Sequence, residues 1–425
     1  MGSSITAPAA SEVSAYFNVS QTAAFLPLTL YVLGLAFGPM ISAPLSETLG
    51  RRAVYLVTFP PFLLFTLGAG LAHNFATLLI CRFLAGTIGS ACLAVSAGTI
   101  TDLFKPLARA TAGAIPLLAS FLGPALGPSV GGLVAQGKGW RWTQWSILFI
   151  GLASFLFSLP QSETYKQIIL QHRARRLGRE PLLSPIPAGF PRIKFLLLVT
   201  LGRPMRMLVT EPIVAFFSIY IAFNFSVLFG FFAAFPYVFA GVYHFSLGES
   251  GLSFLGIGVG CVLATLAYIL LDRLTYRKWT LAAQAKGNMT PLSPENRLYA
   301  AMIGSFLLPL GLFWFAWTAR ADVHWIVPLL ATVPFACGNL MVFSSALLYL
   351  IDTYGPLMGA SAMAATGLLR FTLGALSPIF TLQMYQHLGI GWATSLLGFV
   401  TICLLPIPWV LWKFGPRIRA KSAYL

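Results

Sequence analysis

The sequence predicts an all-α polytopic membrane protein, and three observations carry that prediction. Of its 425 residues 57% are hydrophobic and only 9% charged, whereas about a quarter of a soluble globular domain is charged. The mean hydropathy is +0.81. Eleven stretches are also long and apolar enough to cross a hydrocarbon layer of about 30 Å as helices. They run near 22–42, 53–72, 76–100, 110–136, 142–160, 209–240, 249–271, 298–318, 324–351, 357–383 and 390–412. Inside lipid no water is available to the backbone, so each stretch must close its own hydrogen bonds as a helix.

Between the fifth and sixth stretches lies a polar segment, Gln161 to Arg206, with nine Lys or Arg and two acids. It divides the chain into an N-terminal bundle (1–160), a central cytoplasmic loop (161–206) and a C-terminal bundle with a basic tail (207–425). A cytoplasmic C-terminus places 22 of the 27 basic residues on the inner face, as loop charge bias demands. The exceptions are Lys138, Arg141 and Arg320 outside, and Arg82 and Arg370 within spans. The net charge of +16 therefore reads as topology rather than nucleic-acid binding. Eleven spans leave the N-terminus outside with no signal segment to carry it there. The expectation is a truncated first span, with Gly2 to Ala10 as its outer end, in an otherwise two-by-six arrangement.

Enzyme chemistry is not expected. His73, His172, His244, His324 and His387 all fall in loops or at span ends without an HxxxH or HExxH spacing. Cys81, Cys92, Cys261, Cys337 and Cys403 sit in apolar stretches without metal-ligand spacing. No cofactor and no metal follow from these patterns.

The stretch Gly113 to Gly132 reads GAIPLLASFLGPALGPSVGG. Gly123, Gly127 and Gly131 share one bare helical stripe, which lets another backbone approach closely. Pro124 and Pro128 each remove a backbone donor beside it and favour a bend. Taken alone, this is either a packing seam or the hinge of a moving bundle, with Gly113 and Gly132 at its ends.

Ala43 to Arg52, APLSETLGRR, joins a carboxylate, a glycine and a basic pair in one short inner loop. With Arg82, Gly86 and Gly89 in the following spans, it resembles the major facilitator superfamily. GWRW at Gly139 to Trp142 and SETY at Ser162 to Tyr165 are similar to its fungal twelve-span drug:proton antiporters. The resemblance covers essentially the whole chain and implies the major facilitator fold. It places Glu47, Arg51, Arg52, Asp102 and Arg109 in a cytoplasmic gating cluster, and the Gly113–Gly132 stretch in the hinge motif of exporters. Two departures stand out. Thr48 replaces an arginine of the loop pattern, and Ala233 replaces a carboxylate in FFAAFP. None of the eleven acids lies in mid-span; Glu211, near an inner end, is either the candidate proton carrier or a charge favoured at a helix start by the dipole.

Arg82 and Arg370 are costly inside hydrocarbon: Arg82 reads as a proton-coupling or cavity-organising group or else as half of a structural pair, and Arg370 as a cavity-facing or carbonyl-capped transport group or else a structural pair. Phe216, Tyr220 and Phe223 share a helical face suited to flat apolar or cationic ligands. The expected function is secondary active efflux of small amphipathic or cationic organic molecules, proton-coupled, by a monomer in the plasma membrane. The alternatives are a facilitator without proton coupling, or a shortened inactive product of such a gene.

Overall fold

The structure is a computed structural model describing residues 1–104, 106–178, 202–286, 292–422 and 424. Within these, the side chains at 44, 47, 97, 101, 106–110, 356 and 357 are outside the description. The chain is helical nearly throughout, with no strand among the described residues. The first bundle comprises α1 (Ala10–Phe17), α2 (Leu26–Leu49), α3 (Arg51–Gly70), α4 (Phe75–Gly89), α5 (Ala91–Leu103), α6 (Pro106–Lys138) and α7 (Arg141–Ser158), with α8 (Lys166–Arg176) following. The second comprises α9 (Pro212–Phe235), α10 (Leu247–Leu252), α11 (Leu255–Asp272) and α12 (Tyr299–Thr318). Then comes a continuously hydrogen-bonded run, Ile326–Leu404, and a last helix, Pro406–Arg419.

That run turns at Gly355 (φ 70°, ψ 178°) and Gly389 (φ 74°, ψ 164°). A side chain rarely adopts such positive φ, so glycine is what permits a reversal without a loop. The segments between these turns are α13 (326–354), α14 (356–388) and α15 (390–404), and Pro406–Arg419 is α16. Nine helices among the described residues are long and apolar enough to span a membrane, against the eleven stretches read from sequence. One difference is that Met358–Arg419 counts as a single run of 62 residues. Straight, it would reach about 93 Å, three times the hydrocarbon thickness, so it must fold back at Gly389. The other is α7, whose first turns carry Arg141, Thr143 and Gln144 and dilute its hydropathy.

Local chemistry sets the helix ends. Asn74 caps α4 by accepting from Thr77 N at 2.7 Å. Ser246 and Glu249 form a reciprocal capping box at the start of α10. Pro212 occupies the first turn of α9, where its missing N–H costs nothing.

Within the first half α2 packs on α4; within the second, α9 and α12 pack on the α13–α14 run. The halves meet along two seams, α2 against α14 and α6 against α10 and α11. Residues Met1 to Ala9 form turns rather than a span end, and nearly all of Ser3 to Ala10 is buried. This differs from the expected helical end: the segment lies folded against the glycine stripe of α6.

Candidate functional site: two inner clasps, an outer seam and two intramembrane arginines

At the inner end of the first half, Gly50 (φ 97°) separates α2 from α3. The Arg51 side chain donates to Asp102 Oδ2 at 3.2 Å and to Ser46 Oγ at 2.5 Å, and lies over the Tyr165 ring. The Glu163 carboxylate accepts four backbone N–H groups: Arg51 at 2.9 Å, Arg52 at 3.1 Å, Thr164 at 3.0 Å and Tyr165 at 2.9 Å. One carboxylate thus caps the start of α3 and its own turn together, which suits the positive N-terminal end of a helix. A Cβ at Gly50 would collide with that carboxylate. The Arg52 side chain donates to the Leu159 carbonyl at 3.4 Å. Of the expected cluster, Arg51 and Asp102 are joined. The side chains of Glu47 and Arg109 lie outside the described residues.

The second half repeats the device with other residues. Arg297 at the start of α12 donates to Asp272 at 2.8 Å and Asp352 at 2.9 Å, and stacks on Tyr276 at 3.4 Å. Arg419 after the last span grips Glu295 through Nε and Nη2, each at 3.0 Å. Glu295 also accepts from Ser293. Sequence reading missed Glu163 as a clasp and missed this second cluster entirely. The usable signal was recurrence: acids and arginines at matching inner ends of both halves.

The outer seam is built differently. Thr29 of α2 donates to the Ala375 carbonyl of α14 at 2.8 Å. Ser129 of α6 donates to the Gly251 carbonyl at 2.9 Å, and Gly248 N donates to Gln136 Oε1 at 2.9 Å. The faces of α6 divide the motif. Gly123, Gly127 and Gly131 receive the backbone of Met1 and Ile5 and the Ser4 hydroxyl, within the same half. Pro128 and Gly132, beside them, receive Leu247 and Gly251 of the other half. A Cβ at Gly113 would meet nothing within 4 Å, and Pro124 lies inside the unbroken helix.

The two intramembrane arginines have opposite surroundings. Arg82 is 1% exposed, donates to Gly2 O at 2.7 Å and Pro27 O at 3.3 Å, and lies 4.4 Å from the Tyr31 ring. Its donors serve backbone carbonyls. Arg370, in mid-α14, lies against Phe371, Phe343 and Phe225 at 4.4, 4.5 and 5.0 Å. Its Nε is buried without a hydrogen-bond partner. Phe121 of α6 reaches Phe343 at 5.3 Å and Phe225 at 6.3 Å, so the ring cluster spans both halves.

Glu211 immediately precedes α9, is 3% exposed, and accepts from Tyr354 Oη at 2.8 Å. The expected aromatic face is not one environment: Phe216 is 49% exposed, Phe223 half-buried and Tyr220 fully buried. Phe225, just beyond that face, is the ring on α9 that touches a charge. Among the described residues, no three His, Cys, Asp or Glu side chains gather as a metal site.

Comparison with known proteins accords with this architecture. The chain is 41% identical over 447 residues to polyamine transporter 4 of Saccharomyces cerevisiae, covering all of this chain and 68% of that protein. It is 41% identical over 414 residues to efflux pump FUB11 of Gibberella fujikuroi, covering 96% and 71%. The solved structure of the proton:xylose symporter XylE superposes with a TM-score of 0.65 at 15% identity, over 98% of this chain and 92% of that one, which shows the shared fold. The family model of the Major Facilitator Superfamily matches residues 1–378. With two helical halves, paired inner clasps and an interlocked outer seam, the chain belongs to the Major Facilitator Superfamily of transporters.

Proposed function

We propose that this chain is a secondary active exporter of small amphipathic organic molecules, working as a monomer in the plasma membrane with protons as the coupling ion. The observation that carries the reading is where the halves bond. Thr29–Ala375, Ser129–Gly251 and Gln136–Gly248 all lie toward the outer ends of their helices. The ion pairs at the inner ends each stay within one half. Each half is thus braced as a unit, and the outer seam consists of neutral hydrogen bonds worth about 1 kcal/mol each. A seam of that strength is within what differential substrate binding can open and close. Rocking of two such units about a midplane site is alternating access. The efflux role in the name of the FUB11 relative supports the direction.

Glu211 supports proton coupling, being a buried carboxylate whose bond to Tyr354 bridges α9 and α13. The second reading is a facilitator, favoured by the lack of any mid-span acid among the eleven. Proteoliposomes under an imposed pH gradient separate the two. Antiport concentrates an amphipathic probe beyond equilibrium, a facilitator only equilibrates it, and no protein-dependent movement of any probe overturns both.

A further inference from the structure

The two arginines inside the membrane share one sequence status, yet one is satisfied and the other is not. Arg82 spends its donors on the Gly2 and Pro27 carbonyls. Arg370 makes no hydrogen bond or ion pair among the described residues; its contacts are the faces of three phenyl rings. Ring faces return only part of what a guanidinium loses on leaving water, and the buried Nε–H is left unmet. An unpaired charge at this depth marks a place where a partner arrives from outside the fold. The location fits, because Phe121 from the first half closes on Phe225 and Phe343 from the second around it. This is the midplane junction that both conformations of a rocking carrier must share.

We infer that Arg370 recognises the charged head of the transported molecule, and that the substrate class is small amphipathic organic anions rather than cations. The assignment rests on the transporter reading above. The guanidinium fork matches a carboxylate, sulfonate or phosphate with two parallel hydrogen bonds. The surrounding rings accept the apolar body. A cation entering the same space meets a fixed positive charge and, among the described residues, no acid beside it. Glu211 is engaged with Tyr354 at the inner end, and Asp272 and Asp352 are held by Arg297. The cationic ligands expected from the aromatic face of α9 are therefore replaced by anions.

The test uses three probes with one ring system and different charge: naphthalenesulfonate, naphthalenesulfonamide and naphthyltrimethylammonium. Binding to the purified full chain is measured by calorimetry. The expected result is an anion bound at least about tenfold more tightly than the cation, as a charge-assisted bond implies. Arg370→Gln removes that preference and leaves the sulfonamide affinity unchanged; Arg370→Lys retains part of it. Arg82→Gln, at a residue whose hydrogen bonds go to the Gly2 and Pro27 carbonyls, leaves the ranking intact. The ranking in the unaltered protein decides the matter even where a variant fails to fold. Equal or tighter cation binding there, or no anion binding, overturns the assignment, as does a preference that survives Arg370→Gln. Arg370-dependent anion binding without transport of any probe in vesicles would instead refute the transporter reading and leave the anion site standing.

Discussion

Replacing Gly132 by alanine places a methyl carbon 2.5 Å from the Leu247 carbonyl oxygen and 3.3 Å from Gly251 Cα. A carbon rarely approaches a carbonyl oxygen closer than about 3.0 Å, and both neighbours are backbone, so α6 and α10 must move apart by about half an ångström. Overpacking of this kind costs about 1–3 kcal/mol. Because the contact joins the two halves, the cost falls on the closed outer face and spares the open one. The closed-to-open ratio then drops about five- to 150-fold. The assay is alkylation of Ser129→Cys by a membrane-impermeant maleimide added outside, with the five native cysteines replaced. Ser129 is 5% exposed and bonded across the seam, so its thiol is shielded while the seam is closed. Gly132→Ala should raise the labelling rate about fivefold or more. Gly131→Ala, one residue away, strikes the Ile5 carbonyl within its own half. It should lower thermal stability and leave labelling unchanged. Equal labelling in the Gly132→Ala and parent proteins, or equal opening by both alanines, would refute the division of α6 into an intra-half face and an inter-half face.

Three further outcomes follow from the clasps and buried charges. Glu163→Gln puts an NH2 where an oxygen accepts from backbone N–H, costing about 2 kcal/mol; thermal denaturation should show a Tm fall of several degrees, and an unchanged Tm would remove the clasp from the account. Arg82→Ala takes the guanidinium from the Gly2 carbonyl and the Pro27 turn and leaves a void beside Tyr31, at about 1–3 kcal/mol for the lost donor, so size-exclusion profiles should show loss of folded protein; normal folding with lost transport would make Arg82 a transport group after all. Glu211→Gln keeps an acceptor for Tyr354 but cannot ionise, so uptake driven by a pH gradient should vanish while exchange of probe across the vesicle membrane persists; retained gradient-driven accumulation would exclude Glu211 as the proton carrier.

The spans were legible because lipid permits few ways to satisfy a backbone, so apolar length and loop charge suffice. The joins were not. Gly355 and Gly389 turn a helical run back on itself without the polar loop that sequence reading expects. The Arg51–Asp102 pair followed from family spacing, whereas Glu163 bonds to residues 111 and 112 positions away, a distance over which local pattern carries nothing. The glycine stripe is visible in sequence as a bare surface, and Met1, Ser4 and Ile5 lie against it. Its partner could not be read, because adjacent faces of one helix serve different halves. Arg82 and Arg370 looked equivalent as charges in apolar runs. Only the three-dimensional arrangement shows that one meets carbonyls and the other meets phenyl rings.

The central claim is that two braced halves expose one site alternately to each side. Counterflow in proteoliposomes tests it most directly, since exchange through an alternating site needs no driving ion. Vesicles containing the full chain are loaded with unlabelled naphthalenesulfonate and diluted into a trace of labelled probe. Label should accumulate transiently above its equilibrium level, and Arg370→Gln should abolish the overshoot. Label that rises only to equilibrium, at the rate seen in protein-free vesicles, would contradict it.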